Sequence, residues 1–99
     1  MGKIRRLVLD TLKPHDPTIV ELAKSLSKIE GVHAVNISIR EIDRKVETAK
    51  ITIEGDDLVF ELISEVIAGY GGAIHSIDEV VAGKIIIDDA STPQDPYQA

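Results

Sequence analysis

The sequence predicts a single α+β domain, a two-layer sandwich with element order β-α-β-β-α-β. Three observations carry that reading. Two segments repeat apolar residues with a helical period, Ile19 to Ile29 and Val59 to Tyr70. Two others, Val32–Ile42 and Val46–Glu54, alternate apolar and polar residues as half-buried strands do. The chain has 99 residues, enough for one core, because a domain of this size buries roughly two-thirds of its unfolded surface.

Ile4 to Leu12 reads as the first strand. Its apolar residues, Ile4, Leu7, Val8, Leu9 and Leu12, are nearly continuous, which suits a central strand covered on both sides. Lys13-Pro14-His15-Asp16-Pro17 ends it, since neither proline fits a regular helix or an interior strand. The first helix has two candidate starts. Asp16 fits a cap with Pro17 at the first helical position, and Thr18 to Glu21 fits a capping box. Ile19, Leu22, Ala23, Leu26 and Ile29 form its inner stripe, and Gly31 stops it.

The next two strands form a hairpin turning at Asp43-Arg44-Lys45. Val35, Ile37 and Ile39 face one side, and Asn36, Ser38 and Arg40 the other. On the return strand Ala49, Ile51 and Ile53 alternate against Thr48, Lys50 and Thr52. Gly55-Asp56-Asp57 opens the second helix with an aspartate cap, and Gly69-Tyr70-Gly71-Gly72 closes it. Ala73 to Val81 is the last core strand. Its alternation is irregular, pairing Ile74 with Val80 on one face and Ile77 with Val81 on the other. Lys84-Ile85-Ile86-Ile87 reads as a short fifth strand. The domain therefore spans residues 1–89, with a loose polar tail over 90–99.

This order is that of the split βαβ, ferredoxin-like sandwich. Right-handed crossovers put the first and third strands in the middle of an antiparallel sheet. Both helices then cover one face, and the other face lies open.

Composition narrows the function. The absence of cysteine removes disulfides, thiolate metal sites and thiol nucleophiles. A net charge of −6 disfavours nucleic acid, despite Lys3, Arg5 and Arg6 clustering at the start. No apolar run approaches the ~20 residues of a membrane span. The expectation is a soluble, cytoplasmic protein with neither nucleic acid nor membrane as partner.

The open face is expected to carry Arg6, Val8 and Asp10, then Asn36, Ser38 and Arg40, then Thr48, Lys50 and Thr52. Ser76 and Asp78 join them if Ile77 faces the helices. Asp10, Ser76, Asp78, Arg6 and Arg40 are the candidate ligand-binding residues. A divalent cation such as calcium would need oxygens converging from several segments, and the candidate set is Asp10, His15, His75 and Asp78. No histidine lies three or four residues from another, so no metal motif supports that set. The glycine cluster follows a helix, whereas phosphate loops precede one. No serine sits in a nucleophile motif, and an acid–base pair such as His75 with Asp78 is all the chain offers a metal-free enzyme. Ile85, Ile86 and Ile87 are the candidate oligomer interface, because burying each is worth roughly 1.5–3 kcal/mol and an edge strand is a template for pairing.

Arg5-Arg6-Leu7-Val8-Leu9-Asp10 with Lys13-Pro14-His15, and Ile74-His75-Ser76-Ile77-Asp78-Glu79-Val80-Val81-Ala82-Gly83, resemble an uncharacterised archaeal family, domain of unknown function 211. The resemblance covers nearly the whole chain up to Asp89. It implies a ferredoxin-like fold and ring-like or higher homo-oligomers, and it brings no known reaction. The functional expectation is a non-enzymatic, homo-oligomeric binding or regulatory module for a small ligand on the open face or at subunit boundaries. The alternative is a divalent-cation-binding protein or weak metal-dependent hydrolase.

Overall fold

The computed structural model describes residues 2–91. It contains β1 (Ile4–Pro14), α1 (Ile19–Ser27), β2 (Val32–Ile42), β3 (Val46–Gly55), α2 (Phe60–Gly69) and β4 (Ala73–Ala82). The strands form one antiparallel sheet in the order β2-β3-β1-β4. Both helices supply the residues that cover one side of it. This is the ferredoxin-like order, with β1 and β3 central as expected.

Residue parity on the central strands decides which side is buried. Leu7 pairs with Ile53, and Leu9 with Ile51. These four, with Leu22 and Leu26 of α1 and Ile63 and Ile67 of α2, form the buried core. Val35, Ile37 and Ile74 pack around its margin. With few aromatics, branched aliphatic side chains fill this layer, which suits strands packed under helices.

Local expectations are corrected at several points. First, α2 begins at Phe60 with Val59 as its cap residue, and no side chain caps it. Asp56 is instead held by Arg5, with Lys3 at 4.0 Å. Residues 56–58 form a tight connection in which Asp56 N donates to Gly31 O at 2.9 Å and Leu58 N to Ile4 O at 2.9 Å. Gly55 permits this approach, because a Cβ there would lie 2.0 Å from Gly31 O. Second, α1 starts after Thr18, so Asp16 and Pro17 precede the helix, and the Thr18 side chain makes no capping bond.

Third, Ile77 does not share a face with Val81: it joins Ile74 and Val80, while Val81 lies opposite Arg6 on the other face. The register runs Val80 to Leu7, Ile77 to Leu9 and Ile74 to Thr11, with shifts at Asp78 and His75. Each shift is a bulge that inserts one unpaired residue. Two bulges convert a three-residue spacing into one shared face, so Ile74, Ile77 and Val80 all lie on the helix side. Beyond β4, Lys84 to Ile87 is not a strand. Ile85 and Ile87 are exposed, at 71% and 68%. The tail expected to be loose falls largely outside the described residues.

Candidate functional site

With Ile77 turned toward the helices, Ser76 and Asp78 fall on the open face. Ser76 pairs with Asp10, which pairs on its other side with Lys50. Lys50 in turn pairs with Ser38. Arg40 sits at a register shift of β2, where it has no β3 partner. These strands frame an open depression of about 680 Å³ lined by Val8, Asp10, Arg40, Lys50, Asp78, Glu79 and Asp89. Three expected ligand residues, Asp10, Arg40 and Asp78, are thus brought together. Ser76 is one bond away, its Oγ donating to Asp78 Oδ1 at 2.7 Å.

Arg6 has a different task. Its Nε donates to Glu54 at 2.8 Å, and its Nη1 donates to Asp88 at 2.8 Å and lies 3.5 Å from Glu79. These carboxylates, Asp88 foremost, raise its pKa and hold it charged. Arg6 therefore pins the segment after β4 beside the open face, with its Nε and Nη1 engaged within the chain. The other amino-terminal cations are engaged as well: Arg5 donates to Gly83 O and Asp56, and Lys3 lies near Asp56. Asp56 is held below the usual carboxylate range, chiefly by Arg5.

The contrast within the depression is sharp. Among the described residues, none of Asp10, Arg40, Lys50, Asp78 or Asp89 forms an ion pair. Lys50 stays unpaired even though Asp10 is its cross-strand neighbour. Opposite charges on adjacent strands ordinarily stabilise a sheet by roughly 0.2–1 kcal/mol when they meet. Here they point into the depression and leave their charges to solvent.

The four-residue metal set is not assembled. Asp10 and Asp78 share the depression, but His15 follows Pro14, beyond the end of β1. It bonds Glu47, which lies on the helix side of the sheet. Among the described residues no group of three or more His, Asp or Glu side chains is placed to hold a metal ion. Asp78 is engaged by Ser76, and no bond joins it to His75 among the described residues.

The end of the sheet around His15 holds a polar cluster that residue patterns did not reveal. Lys13 is fully buried. Its Nζ donates to Pro14 O at 2.6 Å and lies 3.5 Å from Glu47 Oε2. His15 Nδ1 donates to Glu47 Oε1 at 2.9 Å. Thr11, also fully buried, has no partner for its Oγ1. The one available signal was parity, since Lys13 continues the inward series Leu7, Leu9, Thr11. Glu47, its counter-charge, lies on another strand and is invisible to local reading.

No helix among the described residues is long and apolar enough to cross a membrane. A family model for domain of unknown function 211 (DUF211), described as Uncharacterized ArCR, COG1888, matches residues 5–96. The chain is also 54% identical over 97 residues to "Uncharacterized protein MJ0319" of Methanocaldococcus jannaschii, a match covering 98% of this chain and 100% of that protein. Fold, matched span and this relative agree, and the chain belongs to the uncharacterised archaeal family DUF211.

Proposed function

We propose that this protein is a non-enzymatic, homo-oligomeric binding or regulatory module whose small ligand occupies the open sheet face. The observation that supports this is the division of labour among its charges. Arg5, Arg6 and Lys3 are matched to carboxylates within the chain, whereas Asp10, Arg40, Lys50 and Asp78 surround a depression without ion pairs. Charges kept solvated around a concavity suit a ligand that supplies the missing partners. Self-association is supported by apolar exposure at one edge. Ile77, Val80, Ile85 and Ile87, on β4 and just beyond it, are all exposed, and large exposed apolar areas mark interaction sites.

Native mass spectrometry of the purified, untagged protein, with and without chelator, tests this. The expected spectrum is a discrete oligomer carrying extra mass that Asp10→Ala removes, and Ile85→Asp with Ile87→Asp reduces the oligomer to monomer. Bare monomer under both conditions would refute both halves of the proposal. Extra mass that leaves only with chelator would replace the organic ligand with a cation.

A further inference from the structure

We propose that the open-face depression takes a free dibasic amino acid, lysine or arginine. The carboxylate lies toward Arg40 and Lys50, and the two cationic groups lie toward Asp10, Asp78 and Asp89. The inference rests on the open-face reading and adds the chemical class of the ligand.

The strand order sets the charge pattern. Arg40 comes from β2 and Lys50 from β3, while Asp10 comes from β1, Asp78 from β4 and Asp89 from the segment beyond it. Adjacent strands lie about 4.8 Å apart, so the charge sign changes once across the depression, between β3 and β1. A ligand of one sign satisfies half of such a site and is repelled by the other half. A bare cation among the carboxylates meets Lys50, the cross-strand neighbour of Asp10. A phosphate or dicarboxylate on the basic side meets Asp10 and Asp78. A molecule that carries both signs matches both sides, and in a dibasic amino acid the carboxylate and α-ammonium share one carbon, which suits the β3–β1 boundary, while the side-chain cation reaches on toward the acidic side.

Charge count separates the dibasic from the neutral amino acids. Two cations face three carboxylates that Arg6 does not engage, so the complementary ligand carries net positive charge. Its carboxylate suits the guanidinium of Arg40, which presents paired N–H donors. Val8, two residues along β1 from Asp10 and 8% exposed, gives the depression an apolar floor for the ligand's methylene stem. Ser76 holds Asp78 by its 2.7 Å hydrogen bond and so fixes one acceptor in advance. The Arg6–Asp88 bond of 2.8 Å anchors the segment that carries Asp89.

Isothermal titration calorimetry of the full chain tests this with ligands that each lack one group. The probes are L-lysine, L-arginine, cadaverine (lysine without its carboxylate), norleucine (without the side-chain amine), L-glutamate and calcium. L-lysine or L-arginine is expected to bind at least about tenfold tighter than cadaverine or norleucine, equivalent to ~1.4 kcal/mol. Lys50→Met should weaken L-lysine and spare cadaverine, whereas Asp78→Asn should weaken both. Matching denaturation curves for these surface variants establish that they are folded. Cadaverine or norleucine binding as tightly as lysine overturns the ligand class, as does the absence of heat with both dibasic amino acids at millimolar concentration. If calcium or glutamate binds instead and Asp10→Ala abolishes it, only the ligand class falls. If lysine binds and neither Lys50→Met nor Asp78→Asn changes its affinity, the open-face reading falls with it.

Discussion

His15 and Glu47 form a bond on which three parts of the chain converge. The imidazole Nδ1 donates to Glu47 Oε1 at 2.9 Å, and Nε2 faces the carbonyl oxygens of Asp43 and Arg44 at 2.8 and 3.1 Å. Every partner is an acceptor. A neutral imidazole carries one N–H, so both sides are satisfied only in the imidazolium form. The side chain thereby ties the end of β1 to β3 and to the β2–β3 turn.

A pH dependence follows, with opposite signs for the two groups. The His15 pKa is raised from 6.5, first by the bond to Glu47. Its contribution to stability is complete below the unfolded histidine value and is lost as pH rises through the raised folded value. The Glu47 pKa is lowered from 4.5, first by the bond to His15. Its contribution is present above the unfolded carboxylate value and is lost as pH falls through the lowered folded value. The wild-type Tm is expected to decline as pH rises from about 6.5, and His15→Gln should flatten that decline. Calorimetry across this range checks it, and parallel slopes in the two proteins would exclude the bond as the cause.

Behind this bond, the buried Lys13 depends on Glu47 for its counter-charge. Removing one member of a buried pair costs about 3–5 kcal/mol, whereas replacing the ion by an apolar side chain of similar size is often neutral. Glu47→Gln is therefore expected to destabilise strongly in urea unfolding. Lys13→Met should be far milder, and adding Lys13→Met to Glu47→Gln should restore part of the loss.

Thr11 presents the simplest case. Its Oγ1 is buried without a partner, opposite Ala49 on β3 and Ile74 on β4. An unsatisfied buried hydroxyl costs about 1–3 kcal/mol, and valine fills nearly the same shape. Thr11→Val is expected to raise the denaturation midpoint without changing the denaturant slope, as equilibrium unfolding in urea would show.

Particular residues show where local sequence carries the fold and where it does not. Ile51 and Ile53, and Val35 and Ile37, sit in uninterrupted strand segments, so their parity alone places them under the helices. On β4 the bulges at His75 and Asp78 break that parity, and only the pairing with β1 brings Ile74, Ile77 and Val80 onto one face. Asp56 has the chemistry of a helix cap, yet Arg5, distant in sequence, takes its carboxylate. The same limit applies to the site. Asp10 and Arg40 were legible from fold order and alternation, whereas Asp78 joined them only on the condition that Ile77 faces the helices, which the pairing with β1 meets. Arg6 was placed on the correct face, but its engagement by Asp88 depends on the path of the chain after β4. Asp89 reaches the depression by the same path.

The most direct test of the central claim is amide-resolved NMR on the isotopically labelled chain. It would be titrated with a panel of amino acids, nucleotides, carboxylates and divalent cations. Any saturable ligand is expected to move the amides of Val8, Asp10, Lys50 and Asp78 first, with the largest shifts on β1 and β3. Saturable shifts confined to the helix layer or to the Lys13–Glu47–His15 end would contradict it, as would a panel that moves no amide on the open face.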